Sequence, residues 1–189
     1  PLRVTWAYSS TDRTANVSVP ALSAGRRLYV VTMRGEVLAL DSLDGQLLWK
    51  YQTGAAVFAQ PALADGLLIV GSSDRRVYGI DARSGAFRWS FAARDAIGCA
   101  PVVAGGVAYI GSEDGALYAL DARTGALLRQ FQTGGPIAAA VAVRDGVVYA
   151  GSEDGVLYAL DAADFTLRWT FAAKNAIAMT PLVTADSVF

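Results

Sequence analysis

The strongest constraint on this chain is a repeat of forty residues. The segment Asp114–Asp121 reads DGALYALD, and forty residues later Asp154–Asp161 reads DGVLYALD. More divergent copies end at Asp81 and Asp41, so an aspartate recurs every forty residues without an insertion. A period near forty that contains several short strands is typical of β-propellers. The repeat therefore predicts an all-β fold made of four-stranded antiparallel blades.

The fourth unit shows the pattern of strands within one blade. Apolar runs and alternation predict strands A to D, lettered from the propeller axis outward, at residues 137–143, 147–151, 156–161 and 166–171. Asp-Gly pairs between them are typical hairpin turns, because glycine readily adopts a positive φ. Such hairpins give a meander with two apolar faces. One sheet of this kind has to stack on similar sheets, which explains why the unit repeats.

The repeat divides residues 1–189 into one propeller segment of about four and a half blades. Whole blades are predicted at about 17–53, 54–93, 94–133 and 134–173; residues 174–189 begin another, and residues 2–9 resemble an isolated D strand. One arrangement is an arc of a seven- or eight-bladed ring. The other is a ring that closes on itself through residues 2–9. We favour the arc, because the last blade of the closed ring would lack its C strand.

Composition narrows the function. Sixteen Lys and Arg against seventeen Asp and Glu leave a net charge of −1, which argues against non-specific binding of nucleic acid or anionic lipid. No apolar run is long enough to predict a membrane-spanning segment. The chain has no histidine, the commonest general base and metal ligand. Its one cysteine, Cys99, lies in an apolar stretch and is predicted to be a buried, unreactive thiol.

A recurring sequence motif links strands C and D. It reads Ala39-x-Asp41-x-x-x-Gly45-x-x-x-Trp49 and is repeated as Gly79-x-Asp81-x-x-x-Gly85-x-x-x-Trp89. This motif resembles the tryptophan-docking motif of quinoprotein-dehydrogenase-like propellers, the pyrroloquinoline-quinone (PQQ) repeat family. The resemblance implies that each tryptophan packs between the small first residue of its motif and the glycine peptide of the next blade. The docking positions in this sequence are Gly45, Trp49, Gly85, Trp89, Gly125, Arg129, Phe165 and Trp169.

Two docking positions depart from the pattern. Arg129 replaces a tryptophan and Phe165 replaces a glycine, and both changes fall on one blade junction. One hypothesis places the Arg129 guanidinium over the Phe165 ring as a cation–π pair. The other treats them as independent changes, with both side chains pointing to solvent.

Other residues that recur with the repeat have a structural interpretation. The aspartates at positions 41, 81, 121 and 161 are predicted to accept backbone N–H groups of the C–D turn, with a metal ligand as the alternative. Tyr78, Tyr118 and Tyr158 are predicted to pack between blades.

The PQQ-repeat family contains PQQ-dependent dehydrogenases and also non-catalytic propellers, such as the periplasmic barrel-assembly lipoprotein of bacteria. The dehydrogenases carry a vicinal cysteine pair and a calcium site of Glu, Asn and Asp, for which this chain, with one cysteine and the asparagines Asn16 and Asn175, has no match. We therefore predict a binding or scaffolding module with no catalytic residues, metal or cofactor of its own. The alternative is a fragment of a dehydrogenase whose PQQ and calcium lie outside this segment. The resemblance implies a periplasmic or cell-surface location, with any export signal outside this sequence.

The predicted partner is a protein or peptide, bound at the face that carries the D–A and B–C loops. The B–C loops of blades one and two lean basic and those of blades three and four acidic, a division that suits electrostatic complementarity with a protein. The alternative is that these turns are only polar and solvated. The candidate binding residues are Arg34, Arg75, Arg76, Arg94, Asp95, Glu113, Asp114, Glu153, Asp154, Lys174 and Asn175. The sequence leaves the oligomeric state open.

Overall fold

The computed structural model describes residue 17 and residues 19–189. The predicted D strand at residues 2–9 lies outside this range. Within it, sixteen strands form four sheets, no helix is present, and each sheet contains four consecutive strands in chain order. All neighbouring strands pair antiparallel. The prediction of an all-β propeller with four-stranded antiparallel blades is confirmed, and the described part is a partial propeller of four blades.

Each blade contributes strands A to D in order. Blade one contains β1 (Leu22–Ala24), β2 (Arg27–Val31), β3 (Glu36–Asp41) and β4 (Leu47–Gln52). Blade two contains β5 (Ala62–Ala64), β6 (Leu67–Ser72), β7 (Arg76–Asp81) and β8 (Phe87–Ala92). Blade three contains β9 (Val102–Ala104), β10 (Val107–Gly111), β11 (Ala116–Asp121) and β12 (Leu127–Gln132). Blade four contains β13 (Ala142–Arg144), β14 (Val147–Gly151), β15 (Val156–Asp161) and β16 (Leu167–Ala172).

Strand A is shorter than the sequence predicts. In blade four it begins at Ala142, although the apolar run begins at Ile137. The reason is packing between blades: Ile137 is buried, and its Cγ2 would lie 2.3 Å from a Cβ built on Gly111 of blade three. Its N–H donates to the carbonyl of Ser112, 3.0 Å away, instead of entering a strand ladder. The residues after blade four contribute one isolated bridge, between Val183 and Val188.

The core lies between the sheets. One cluster joins Tyr29 and Val37 of blade one to Leu68 and Ile80 of blade two, and similar clusters join blades two to three and three to four. Strands B and C are largely buried, whereas the outer strand β16 is exposed along its whole length. Each blade thus buries its apolar faces against its neighbours, as the repeat requires. Cys99 belongs to the cluster between blades two and three, and burial raises the pKa of its thiol to about 11.

Candidate functional site

Tryptophans from strand D lie at the first two blade junctions. A Cβ built on Gly85 would lie 2.7 Å from two ring carbons of Trp49, and one built on Gly125 would lie 2.3 Å from Cε3 of Trp89. Both glycines have φ near +74°, a conformation that other residues resist. The Trp49 indole also donates through Nε1 to the carbonyl of Ala82, 3.2 Å away. Each ring therefore lies against bare backbone of the next blade.

The second tryptophan is enclosed from both sides. A Cβ on Gly79, the first residue of its own motif, would lie 2.2 Å from Cε2 of Trp89, which leaves no room for a larger residue. The Trp89 indole Nε1 is buried and has no hydrogen-bond partner in the described part of the chain. Trp89 therefore depends on shape and apolar contact more than Trp49 does.

The junction between blades three and four is built differently. Phe165 is buried, and its ring stacks on Tyr109 with a centroid distance of 6.1 Å and an interplanar angle of 26°. It adopts φ +63°, close to the value of the glycines that it replaces. Arg129 is exposed. The expectation that both side chains point to solvent is therefore wrong for Phe165, because Tyr109 supplies an apolar surface for its ring. The pairing of Arg129 with this ring stays a prediction.

The two outer docking positions lie at the ends of the described blades. Gly45 adopts φ +73° in the C–D turn of blade one, where its N–H donates to the carbonyl of Asp41. Trp169 lies on β16, is 42% exposed, and contacts the Tyr149 ring at 5.8 Å.

The repeated aspartates organise the C–D turns. Asp41 accepts the N–H of Leu43 at 2.9 Å, and Asp161 accepts the N–H of Ala163 at 2.8 Å, and the local role predicted for these residues is confirmed. Hydrogen bonds from Arg88 and Ser84 hold the pKa of Asp81 far below its usual range. In the described part of the chain, no group of three or more acidic or cysteine side chains is arranged to hold a metal ion.

Two of the predicted partner-binding acids are committed to internal hydrogen bonds. Asp114 accepts the backbone N–H of Arg94 at 3.0 Å and the Tyr118 hydroxyl at 2.6 Å. Asp154 accepts the N–H of Gly134 at 2.8 Å and the Tyr158 hydroxyl at 2.7 Å. Each aspartate ties the B–C turn of its blade to the D–A loop that leads into that blade. Their carboxylates therefore hold the loops of this face together.

Sequence reasoning missed a third member of this set. Asp74 accepts the N–H of Gly54 at 2.7 Å and the Tyr78 hydroxyl at 2.5 Å. The signal was available, because an aspartate lies four residues before a tyrosine in blades two, three and four. The predicted packing of these tyrosines is confirmed: their rings contact aromatic side chains of strand D in the preceding blade at 5.0–5.9 Å.

The remaining candidate residues form a mixed-charge surface, which we call the loop face. Asp95, Glu113 and Glu153 lie close enough to interact, since burial first and then the charges of the other two raise the pKa of Glu113. The more exposed members of this face are Arg34, Arg75, Arg76, Arg94, Asp95, Glu153, Lys174 and Asn175. Arg75 has φ +69° at a turn position that is glycine in the other three blades, so its side chain is presented from a strained turn.

Stacked four-stranded blades, with indoles lying on glycines of the following blade, define this chain as a PQQ-repeat β-propeller. The family model described as "Outer membrane protein assembly factor BamB" matches residues 3–130 and 93–189, and the chain belongs to this family. A BamB of Yersinia pestis is 28% identical over 67 residues, which are 35% of this chain and 17% of that protein.

Solved structures show the same fold. BamB from Moraxella catarrhalis superposes with a TM-score of 0.84 at 24% identity, over 97% of this chain and 57% of that one. A quinohemoprotein alcohol dehydrogenase from Pseudomonas putida HK5 gives 0.81 at 21% identity, over 92% and 36%. The computationally designed Ika4 protein gives 0.74 at 20% identity, over 85% and 99%. The chain thus spans little more than half of the Moraxella protein.

Proposed function

We propose that this chain is a non-catalytic protein-binding propeller that acts, like the proteins after which its family is named, in the assembly of outer membrane proteins. The family match over nearly the whole chain is the observation that carries this proposal. With this role the chain would lie in the periplasm or at the cell surface of a bacterium. Among the described residues, no helix is long and apolar enough to span a membrane.

The loop face is the surface that we propose for the partner. Exposed guanidiniums on blade two, Arg75 and Arg76, lie on the same face as the carboxylates Asp95, Glu113 and Glu153. Separated patches of opposite charge select a partner of complementary charge and speed its association. Asp114 and Asp154 hold the loops of this face together, because their oxygens accept internal hydrogen bonds.

The test is capture of partner proteins from a bacterial envelope extract by immobilised protein. The double variant R75E/R76E should recover at least several-fold less of any protein that the unmodified chain enriches, since it reverses the basic patch. The matched control R144E reverses one charge at the end of β13, away from the loop face, and should capture normally. Equal capture by R75E/R76E and by the unmodified chain would reject the loop face as the binding surface.

A binding role needs no cofactor, and this distinguishes it from the dehydrogenase-fragment alternative. We expect PQQ and Ca²⁺, added together in excess, to leave the melting temperature of the protein unchanged. A ligand that binds only the folded state raises the melting temperature. A rise that requires both additions would favour the dehydrogenase alternative over the proposed binding function.

A further inference from the structure

We propose that the chain has a second binding site, for an acidic peptide, in a cavity between blades one and two on the face opposite the loop face. The cavity has a volume of about 630 Å³. Its walls come from the A–B turns and adjoining strands of blades one and two, and from the C–D turn and β8 of blade two. The C–D turn of blade three adds Arg123. The site is separate from the loop face, and the proposal stands independently of the proposed function.

Arg27 is the first reason for this assignment, because it breaks the repeat. It opens strand B of blade one, at the position held by Leu67, Val107 and Val147 in the other blades. Leu67 and Val147 are buried, so this position normally contributes apolar packing to the blade. A charged side chain is not needed here to build the fold.

The Arg27 side chain is incompletely satisfied. Its Nε is buried and has no hydrogen-bond partner within the described residues. A buried donor without a partner is destabilising, and guanidinium donors are rarely left unpaired inside proteins. Arg27 lines the cavity together with Tyr29. Burial raises the pKa of the Tyr29 hydroxyl, and the nearby Arg27 charge offsets part of this rise. A ligand carboxylate in the cavity would bring an acceptor to this guanidinium.

The charge of the cavity also favours an anion. Four arginines line it against two aspartates, so its walls carry an excess of positive charge. Arg88 is neutralised by Asp81, with Nη2 and Oδ2 2.7 Å apart. In the described part of the chain, the other three guanidiniums form no ion pair; they belong to Arg27, Arg83 and Arg123.

The mixed lining favours a peptide over a small anion. A guanidinium binds a carboxylate through two parallel hydrogen bonds, and the apolar side chains of Leu63 and Leu67 can contact neighbouring peptide residues. The volume lies within the range of about 300–1,000 Å³ that is common for ligand pockets. Phosphate would fit the arginines as well, but Asp65 in the wall repels a doubly charged anion more strongly than a carboxylate.

The experiment measures binding of a fluorescein-labelled hexapeptide of alternating glutamate and leucine by fluorescence polarisation at physiological salt. The unmodified chain should bind it saturably. Arg27→Leu installs the residue found at position 67, should fold with an unchanged or higher melting temperature, and should weaken binding at least tenfold. Arg83→Ala changes an exposed side chain, leaves the blade core intact, and should weaken binding several-fold. The control Arg144→Leu removes an arginine outside the cavity and should bind normally.

Three outcomes would overturn the proposal. They are equal binding of a peptide with glutamine in place of glutamate, unchanged binding by both Arg27→Leu and Arg83→Ala, and displacement of the peptide by inorganic phosphate at equal concentration. R75E/R76E should bind the hexapeptide normally, and Arg27→Leu should capture envelope proteins normally. Failure of this site and failure of the loop face are therefore distinguishable.

Discussion

Gly85 has no side chain, and this allows blades one and two to pack closely together. The Trp49 ring occupies the space that a Cβ on Gly85 would fill. In this position its indole Nε1 donates a hydrogen bond to the carbonyl of Ala82. Gly125 receives Trp89 in the same way. Bare backbone lets a flat aromatic ring bury most of its surface at the seam.

Comparing two glycine substitutions should measure this contact separately from backbone strain. Gly85 and Gly66 have φ of +74° and +77°, but no atom lies within 4 Å of a Cβ on Gly66. Gly66→Ala should therefore lose only about 1–2 kcal/mol of stability from the positive φ. Gly85→Ala should lose about 1–3 kcal/mol more, because Trp49 has to move. Urea unfolding measures both, and equal losses would show that Trp49 adapts freely.

The altered junction between blades three and four gives a second prediction. Phe165→Gly relieves the positive φ but removes a ring buried against Tyr109, so we expect a net loss of about 1–3 kcal/mol. Arg129→Trp alone places an indole against Phe165 and should gain nothing. Together the two changes recreate the junction seen at Gly85.

The double variant should therefore be more stable than the sum of the single changes predicts, by at least about 0.5–1 kcal/mol. A double-mutant cycle from urea unfolding measures this coupling. Additive effects would mean that blade four approaches blade three too distantly for an indole to reach the backbone.

At the scale of elements, the B–C turns and D–A loops are joined by one repeated device. Asp74, Asp114 and Asp154 each accept a backbone N–H from a residue twenty positions earlier, together with a tyrosine hydroxyl from their own strand C. In blade one the corresponding positions hold Arg34 and Leu38, so this device is absent there. In blades two to four, these aspartates therefore hold the B–C turns and D–A loops of the loop face together. A partner does not need to contact their side chains.

Removing this device should destabilise the protein more than removing a neighbouring exposed acid. Asp114→Ala leaves the N–H groups of Arg94 and Ala116 and the Tyr118 hydroxyl without their acceptor, which should cost about 1–3 kcal/mol. Tyr118→Phe removes one of these bonds and should cost about 1 kcal/mol. The control Glu153→Ala should change stability by less than about 0.5 kcal/mol. Thermal unfolding measures all three, and a harmless Asp114→Ala would contradict this role.

The start of strand A in blade four could not be predicted from the sequence. The apolar run from Ile137 predicted a strand, but its first residues are apolar because they fill the space over Gly111 in the preceding blade. Burial against a neighbouring sheet and burial within a strand produce the same apolar signal. Strands B, C and D of blade four also show alternation of apolar and polar residues or are bounded by turn residues. Their predicted bounds agree with the structure to within one residue.

At the scale of the whole molecule, every blade closes its C–D turn with a carboxylate that the fold keeps charged. The pKa values of these groups are lowered chiefly by the Leu43 N–H at Asp41, by Arg88 at Asp81, by the Thr124 hydroxyl at Asp121 and by Arg168 at Asp161. In the unfolded chain each would titrate near its ordinary value of about 4. Their contribution to stability is therefore complete above that pH and declines as the pH falls toward the lower values of the folded state.

We consequently expect a melting temperature that is nearly constant between pH 6 and pH 8 and falls steeply below about pH 4. Circular dichroism at constant ionic strength measures it. Asp121→Asn retains an acceptor oxygen for the turn but cannot titrate, so the variant should lose less stability between pH 6 and pH 3 than the unmodified chain. A melting temperature that stayed unchanged down to pH 3 would show that these turns contribute no net stability.

The repeat by itself determined the fold class, the antiparallel blade, the two blade junctions with a docked tryptophan and the PQQ-repeat family, because these follow from patterns within forty consecutive residues. The tertiary structure decided what Asp114, Phe165 and Arg27 do. Their partners or surroundings lie in other parts of the chain: a backbone N–H twenty residues away, the ring of Tyr109, and a cavity lined by three blades. Such contacts depend on how sheets stack, and a periodic sequence cannot specify which of its departures will face a cavity, a ring or solvent.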